Sequence, residues 1–173
     1  MKSSLLLLAL CGLCAATAMG QKVSHSSIST FNLDQYLGKW YEIARYDHSF
    51  ERGLVGCTAE YSLRDDGKIK VLNSGYRNTL DGPYKESVGK ARARKNGMPG
   101  QLEVSYFGPF YGDYDILELA PDYSYSVVGS SSPKYLWILS RTPQLAPEVQ
   151  AKIIKGLQLR GYDTSQLIWV KQM

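Results

Sequence analysis

Turn chemistry recurs about every dozen residues between Gly38 and Arg141, and this limits the fold more than any other feature of the chain. Asp65-Asp66-Gly67, Asp81-Gly82-Pro83, Asn96-Gly97-Met98-Pro99-Gly100, Gly108-Pro109, Ala120-Pro121-Asp122 and Ser130 to Pro133 all favour turns. Between them lie runs rich in Tyr, Val, Ile and Leu, too short for helices. They predict strands near Gly38 to Tyr46, Cys57 to Leu63, Ile69 to Tyr76, Tyr84 to Arg94, Leu102 to Phe107, Tyr114 to Leu119, Tyr123 to Gly129 and Tyr135 to Arg141. Short turns make sequential strands antiparallel, and eight of them suffice to close an up-and-down barrel around one small ligand. The expected class is therefore all-β.

One helical signal follows the eighth run. Val149, Ile153 and Leu157 recur every four residues behind Pro147 and before Gly161, which predicts a helix over about 147–160. Leu167 to Val170 could add a ninth strand outside the barrel. Upstream, residues 21–36 form a polar lead to a single domain spanning 37–173.

Alternation along each strand assigns the faces. In the fourth, Ser87, Gly89, Ala91 and Ala93 oppose Lys90, Arg92 and Arg94, so the small residues point inward. The sixth and eighth are apolar on both faces and need outside cover, so the helix is expected across Leu117, Leu119, Leu136 and Ile138. Inward Ala44, Ala59, Gly89, Ala91 and Gly129 leave room where a solid core would want bulk. The same parity predicts a cavity lined by Tyr61, Val71, Val104 and Tyr106 on one side and by Tyr114, Ile116, Tyr125 and Trp137 on the other. Read without further information, those aromatics could equally pack into a dry core.

Charge and cysteine content narrow the function. A net charge of +4 is too small and too dispersed for nucleic acid, and merely permits peripheral contact with an anionic membrane. Lys2, the apolar run Leu5 to Leu13 and the exit Ala18-Met19-Gly20 read as a secretory signal over residues 1–20. A leucine precedes both Cys11 and Cys14, where lipoprotein processing prefers a small residue. Export to the periplasm or secretion therefore ranks ahead of an outer-membrane lipoprotein. Processing leaves Cys57 alone, so no internal disulfide forms. With two histidines, no HExxH and no Gly-x-Ser-x-Gly, neither a metal nor another cofactor is expected.

Gly38-Lys39-Trp40-Tyr41 resembles the Gly-x-Trp motif that opens the first strand of lipocalins. Asp122-Tyr123 resembles their second motif, and Arg141 the arginine that ends their eighth strand. "WYEIARYDHSFERGL", "YSLRDDG", "FGPFYG" and "YLWILSRTP" are similar to the bacterial outer-membrane branch that includes apolipoprotein D, and the likeness runs from Leu37 to Val170. It implies non-covalent binding, transport or storage of small hydrophobic ligands, most directly fatty acids or lysophospholipids. Apart from the resemblance, the mouth aromatics Phe107, Phe110 and Tyr111 offer an interaction surface, so a weak homodimer stands beside a monomer.

In such a barrel Trp40, Asp122 and Arg141 meet at one end, with the guanidinium over the indole. The loops Asp47 to Gly56, Tyr76 to Pro83, Phe107 to Asp113 and Ser130 to Lys134 form the opposite mouth. There Arg52 or His48 is expected to meet a carboxylate or phosphate. The alternative is enzymatic: the place of Cys57 resembles that of the reactive cysteine in lipocalin-type prostaglandin D synthase, an isomerase. Such a thiol needs a lowered pKa, and neither His25 nor His48 is clearly placed to help; a small buried hydrophobe is the default.

Overall fold

The structure, a computed structural model, describes residues 22–173. The predicted signal, with Cys11 and Cys14, lies outside the described residues. Strands β1 (Gly38–Arg45), β2 (Leu54–Leu63), β3 (Ile69–Arg77), β4 (Tyr84–Ala93), β5 (Gln101–Phe107), β6 (Phe110–Leu119), β7 (Tyr125–Gly129) and β8 (Leu136–Ser140) follow one another antiparallel. β8 pairs with β1, and β1 pairs again with β2, which closes the eight-stranded barrel. The predicted loop Phe107 to Asp113 shrinks to a tight hairpin, because β6 starts at Phe110 and pairs Phe107 with Phe110 around Gly108. A four-residue helix, α1 (Leu33–Tyr36), is capped by Asn32 and lies in what reads as polar lead, too short to show a periodicity.

Helix α2 (Pro147–Leu159) covers one side of the barrel. Its Ile153 and Leu157 are buried against Leu117, Val127, Leu136 and Ile138. Four parity assignments fail here. A bulge in β6 sets both Ile116 and Glu118 against neighbouring positions of β7, which turns Leu119 away from the helix and into the lower core. A second bulge, between Glu42 and Ala44, sends Ala44 outward into the helix-facing cluster. In β7 every residue is buried, so no polar face orients it. Tyr125 packs outside, its hydroxyl donating to Glu118 Oε1 at 2.7 Å and accepting from Lys152 Nζ at 3.1 Å, and it is not a cavity residue. A Cβ on Gly129 would likewise meet Leu117 and Tyr162, outside the barrel.

At the closed end Trp40 is fully buried beneath the Arg141 guanidinium, which lies 3.8 Å from its ring. Arg141 donates to the carbonyls of Gln35, Leu37 and Lys39 at 2.7, 2.9 and 2.9 Å, and Trp40 Nε1 donates to Tyr36 O at 2.8 Å. The cation–π contact contributes roughly 1–2 kcal/mol. Gly38 has φ +90, open only to glycine at low cost. Asp122 reaches Arg141 indirectly: its carboxylate accepts from Ser124 N and Oγ, and Ser124 O accepts from Arg141 N. Tyr123, at φ 59, accepts from Asn32 N and so ties α1 to this end.

The seam between β1 and β2 is closed in two ways. The strands pair directly only over Gly38–Tyr41. Higher up they part, and the C-terminal residues fill the gap. Strand β9 (Ile168–Trp169) pairs with Ala44 and Arg45, Val170 N donates to Ile43 O, and Gly56 N donates to Lys171 O. Gln172 Nε2 then donates to both Glu42 O and Cys57 O, at 2.7 and 2.9 Å. Each such bond contributes about 0.5–1.5 kcal/mol net. Truncation after Leu167 is expected to lower the unfolding free energy by about 3 kcal/mol in urea titrations; an unchanged midpoint would mean that the tail does not hold the seam.

Candidate functional site

The mouth half of the barrel holds a cavity of 630 Å³, within the range of small-ligand sites. Val104, Tyr106 and Trp137 line it, together with Leu54, Cys57 and Asn73. Its base is set by tyrosine hydroxyls. Tyr36 and Tyr61 each lie 2.8 Å from the Tyr114 hydroxyl, and Tyr36 is 3.2 Å from Ser126 Oγ. Buried phenols must find partners, and these find one another. Burial raises all three, Tyr36 to about 12, so the layer is uncharged. Tyr61, Val71, Tyr114 and Ile116 belong to this packed layer above Trp40 and do not reach the cavity surface, contrary to the parity expectation. Gly89 is small for another reason than expected. The Tyr106 ring lies against it, 2.8 Å from where a Cβ would sit, with the Tyr106 hydroxyl accepting from Asn73 Nδ2 at 2.7 Å.

One wall is polar. Glu42, 6% exposed, faces the cavity, and its Oε1 accepts from Arg45 Nη1 at 2.5 Å. Arg45 also donates to the carbonyls of Glu51 and Leu54 at 2.9 and 3.0 Å, which folds the β1–β2 loop inward. Glu51 thereby reaches the cavity and accepts from Trp137 Nε1 at 3.1 Å. Burial and the nearby Glu51 push the Glu42 carboxyl up to about 8 against the pull of Arg45. Sequence reasoning missed this wall. The signal was present, since Glu42 shares the inward parity of Gly38 and Trp40, where a charge is out of place.

Neither residue expected to greet a head group lines the cavity. Arg52 is exposed and engages Asp47 at 2.7 to 3.2 Å. His48 is 7% exposed, stacked 4.2 Å from Phe50 and tilted against Trp137 at 4.9 Å, with both ring nitrogens lacking a hydrogen-bond partner. Burial and Arg45 lower its pKa to about 4, so the ring is neutral at pH 7. Between pH 6.5 and 4 the unfolded chain binds this proton and the folded one does not, so acidification removes stability. His48→Phe should lose about 2–3 kcal/mol less than wild type over that window, measured by urea unfolding at each pH. Parallel losses would contradict a neutral buried ring.

Cys57 sits at the same wall, 3.7 Å from Arg45 Nη1. Burial and Glu42 push its thiol up to about 12, the reverse of what a nucleophile requires. Among the described residues no group of three or more His, Cys, Asp or Glu could hold a metal ion. At the mouth Phe50, Phe107 and Phe110 are 62%, 81% and 78% exposed and continue the cavity lining to the surface.

Comparison with known proteins gives a consistent result. Residues 31–172 match the lipocalin-like domain. The chain is 48% identical over 166 residues to outer membrane lipoprotein Blc of Vibrio cholerae, covering 95% of this chain and 96% of that protein. It is 38% identical over 167 residues to apolipoprotein D of Rattus norvegicus, covering 86% and 84%. Among solved structures, lobster apocrustacyanin A1 superposes with a TM-score of 0.66 at 25% identity, over 82% of this chain and 80% of that one. Insecticyanin from the tobacco hornworm Manduca sexta, at 22% identity and a TM-score of 0.69 over 89% and 87%, shares the fold.

Proposed function

The chain belongs to the lipocalin family, whose members bind small hydrophobic molecules, and from that premise we propose that it carries or stores single-chain lipids, fatty acids or lysophospholipids, without covalent chemistry. The observation that carries this reading is the cavity itself, closed below by the tyrosine layer and open above through three exposed phenylalanines. An acyl chain entering it gains about 0.8 kcal/mol per buried methylene. The phenylalanine rim offers that chain an apolar path from a lipid surface, so peripheral membrane contact fits loading. The names of its relatives, outer membrane lipoproteins, are consistent with an exported chain in the periplasm or at the outer membrane.

Native mass spectrometry of protein purified from its own source should find a single-chain lipid at one per barrel; protein that is ligand-free in every preparation would count against the reading. The isomerase alternative rests on Cys57 alone. Iodoacetamide should alkylate Cys57 at pH 7 at least tenfold more slowly than free cysteine, in line with its raised pKa. Alkylation as fast as free cysteine would reopen that alternative.

A further inference from the structure

The polar wall of the cavity presents two carboxylates, Glu42 and Glu51, that are only partly supplied with donors. Glu42 and Glu51 both face the space, while Arg45, 2% exposed and absent from the lining, is taken up by Glu42 and two loop carbonyls. The second oxygen of Glu42 and of Glu51 accepts no hydrogen bond from any described residue. Asn73 lines the same cavity, and its buried Oδ1 also lacks a partner. His48, 7% exposed and unpartnered, lies 3.4 Å from Glu51 and is neutral, so it supplies no cation. Above pH 8, where Glu42 is ionised, two carboxylates face one guanidinium, which leaves one negative charge in excess on a wall of low dielectric. Among the described lining residues the only base is Lys85, with Glu86 and Asp113 lining the cavity as well.

Such a surface discriminates between head groups. A ligand carboxylate beside Glu42 and Glu51 would bring a third negative charge, repelled strongly where water is scarce. A hydroxyl or an ammonium would instead supply the hydrogen bonds that these oxygens lack. We propose that Glu42 and Glu51 form a head-group subsite that takes a hydrogen-bond donor, hydroxyl or primary ammonium, attached to the acyl chain, and disfavours a bare carboxylate. This rests on the lipid-carrier reading and narrows it. It is consistent with the upward shift of Glu42, which burial produces first and the neighbouring Glu51 adds to.

A series with one chain length separates the subsite from the carrier. Dodecylamine, dodecanol and dodecanoate, each below its micellar concentration, are titrated at pH 8.5 against Trp137 fluorescence. At that pH Glu42 is ionised in most molecules. The amine and the alcohol are expected to bind at least tenfold more tightly than dodecanoate. Glu42→Gln, which keeps an oxygen for Arg45, should weaken the amine and strengthen dodecanoate, each about fivefold or more, with the alcohol changed less than threefold. Glu51→Gln provides the same comparison independently of how well Glu42→Gln folds. Dodecanoate binding as tightly as the other two, or an order unchanged in both variants, overturns the subsite while leaving a lipid carrier. Saturable binding by none of the three overturns the carrier, and the subsite with it.

Discussion

Replacing Trp40 with alanine is expected to cost about 3–5 kcal/mol of unfolding free energy, the range for removing a fully buried large aromatic. Several terms act together. The indole is buried at the closed end, its Nε1 holds Tyr36 O, and its face carries the Arg141 guanidinium. Its loss leaves a void under the tyrosine layer and an Arg141 attached only to three carbonyls. Arg141→Lys keeps the charge but not the planar fork, and is expected to cost about 1–2 kcal/mol. Urea unfolding followed by far-UV circular dichroism measures both. A Trp40→Ala loss below 1 kcal/mol would show that this end does not depend on its plug.

Filling the cavity should abolish binding while leaving the barrel folded. Ser87 is a small residue on the cavity wall of β4, opposite Asn73 of β3. A tryptophan there would enter open space rather than packed core, so its effect on stability should stay within about 1 kcal/mol. It would occupy the room of roughly four methylenes, about 3 kcal/mol of burial, or two orders of magnitude in affinity. Ser87→Trp is therefore expected to bind an acyl chain about 100-fold more weakly at an unchanged unfolding midpoint. Undiminished affinity would place the chain elsewhere, such as the exposed phenylalanine rim.

The strand order, the side-covering helix and the Trp40–Arg141 end were legible because each depends on local signals: turn residues, apolar spacing and motif position. Parity failed where a bulge intervened or where both faces were apolar. Ala44 and Leu119 lie just beyond bulges, and such one-residue slips leave no mark in the alternation that precedes them. Tyr125 belongs to a strand with no polar face, so nothing in its neighbours decides which way it points.

The tail between β1 and β2 was illegible for a different reason. Gln172 joins residues 130 and 115 positions away, and no local pattern encodes so distant a contact. The candidate site shows the same division. Val104, Tyr106 and Trp137 follow from alternation alone, whereas the depth of the cavity depends on three phenols finding one another. The charged loop misled because its charges are met nearby, Arg52 by Asp47, while His48 is stacked under Phe50 and only Glu51 turns inward.

The hollow above the tyrosine layer is tested most directly by quenching with a chain-brominated fatty alcohol in a Trp169→Phe background, which removes the exposed tryptophan. Trp137 lines the cavity and Trp40 lies sealed below it, so a bromine on the mid-chain should quench Trp137 saturably at one ligand per barrel. Ser87→Phe, which narrows the same space without adding an indole to the cavity, should relieve most of that quenching of Trp137. Emission that declines linearly without saturation, or equally with and without Ser87→Phe, would mean that no chain enters the barrel.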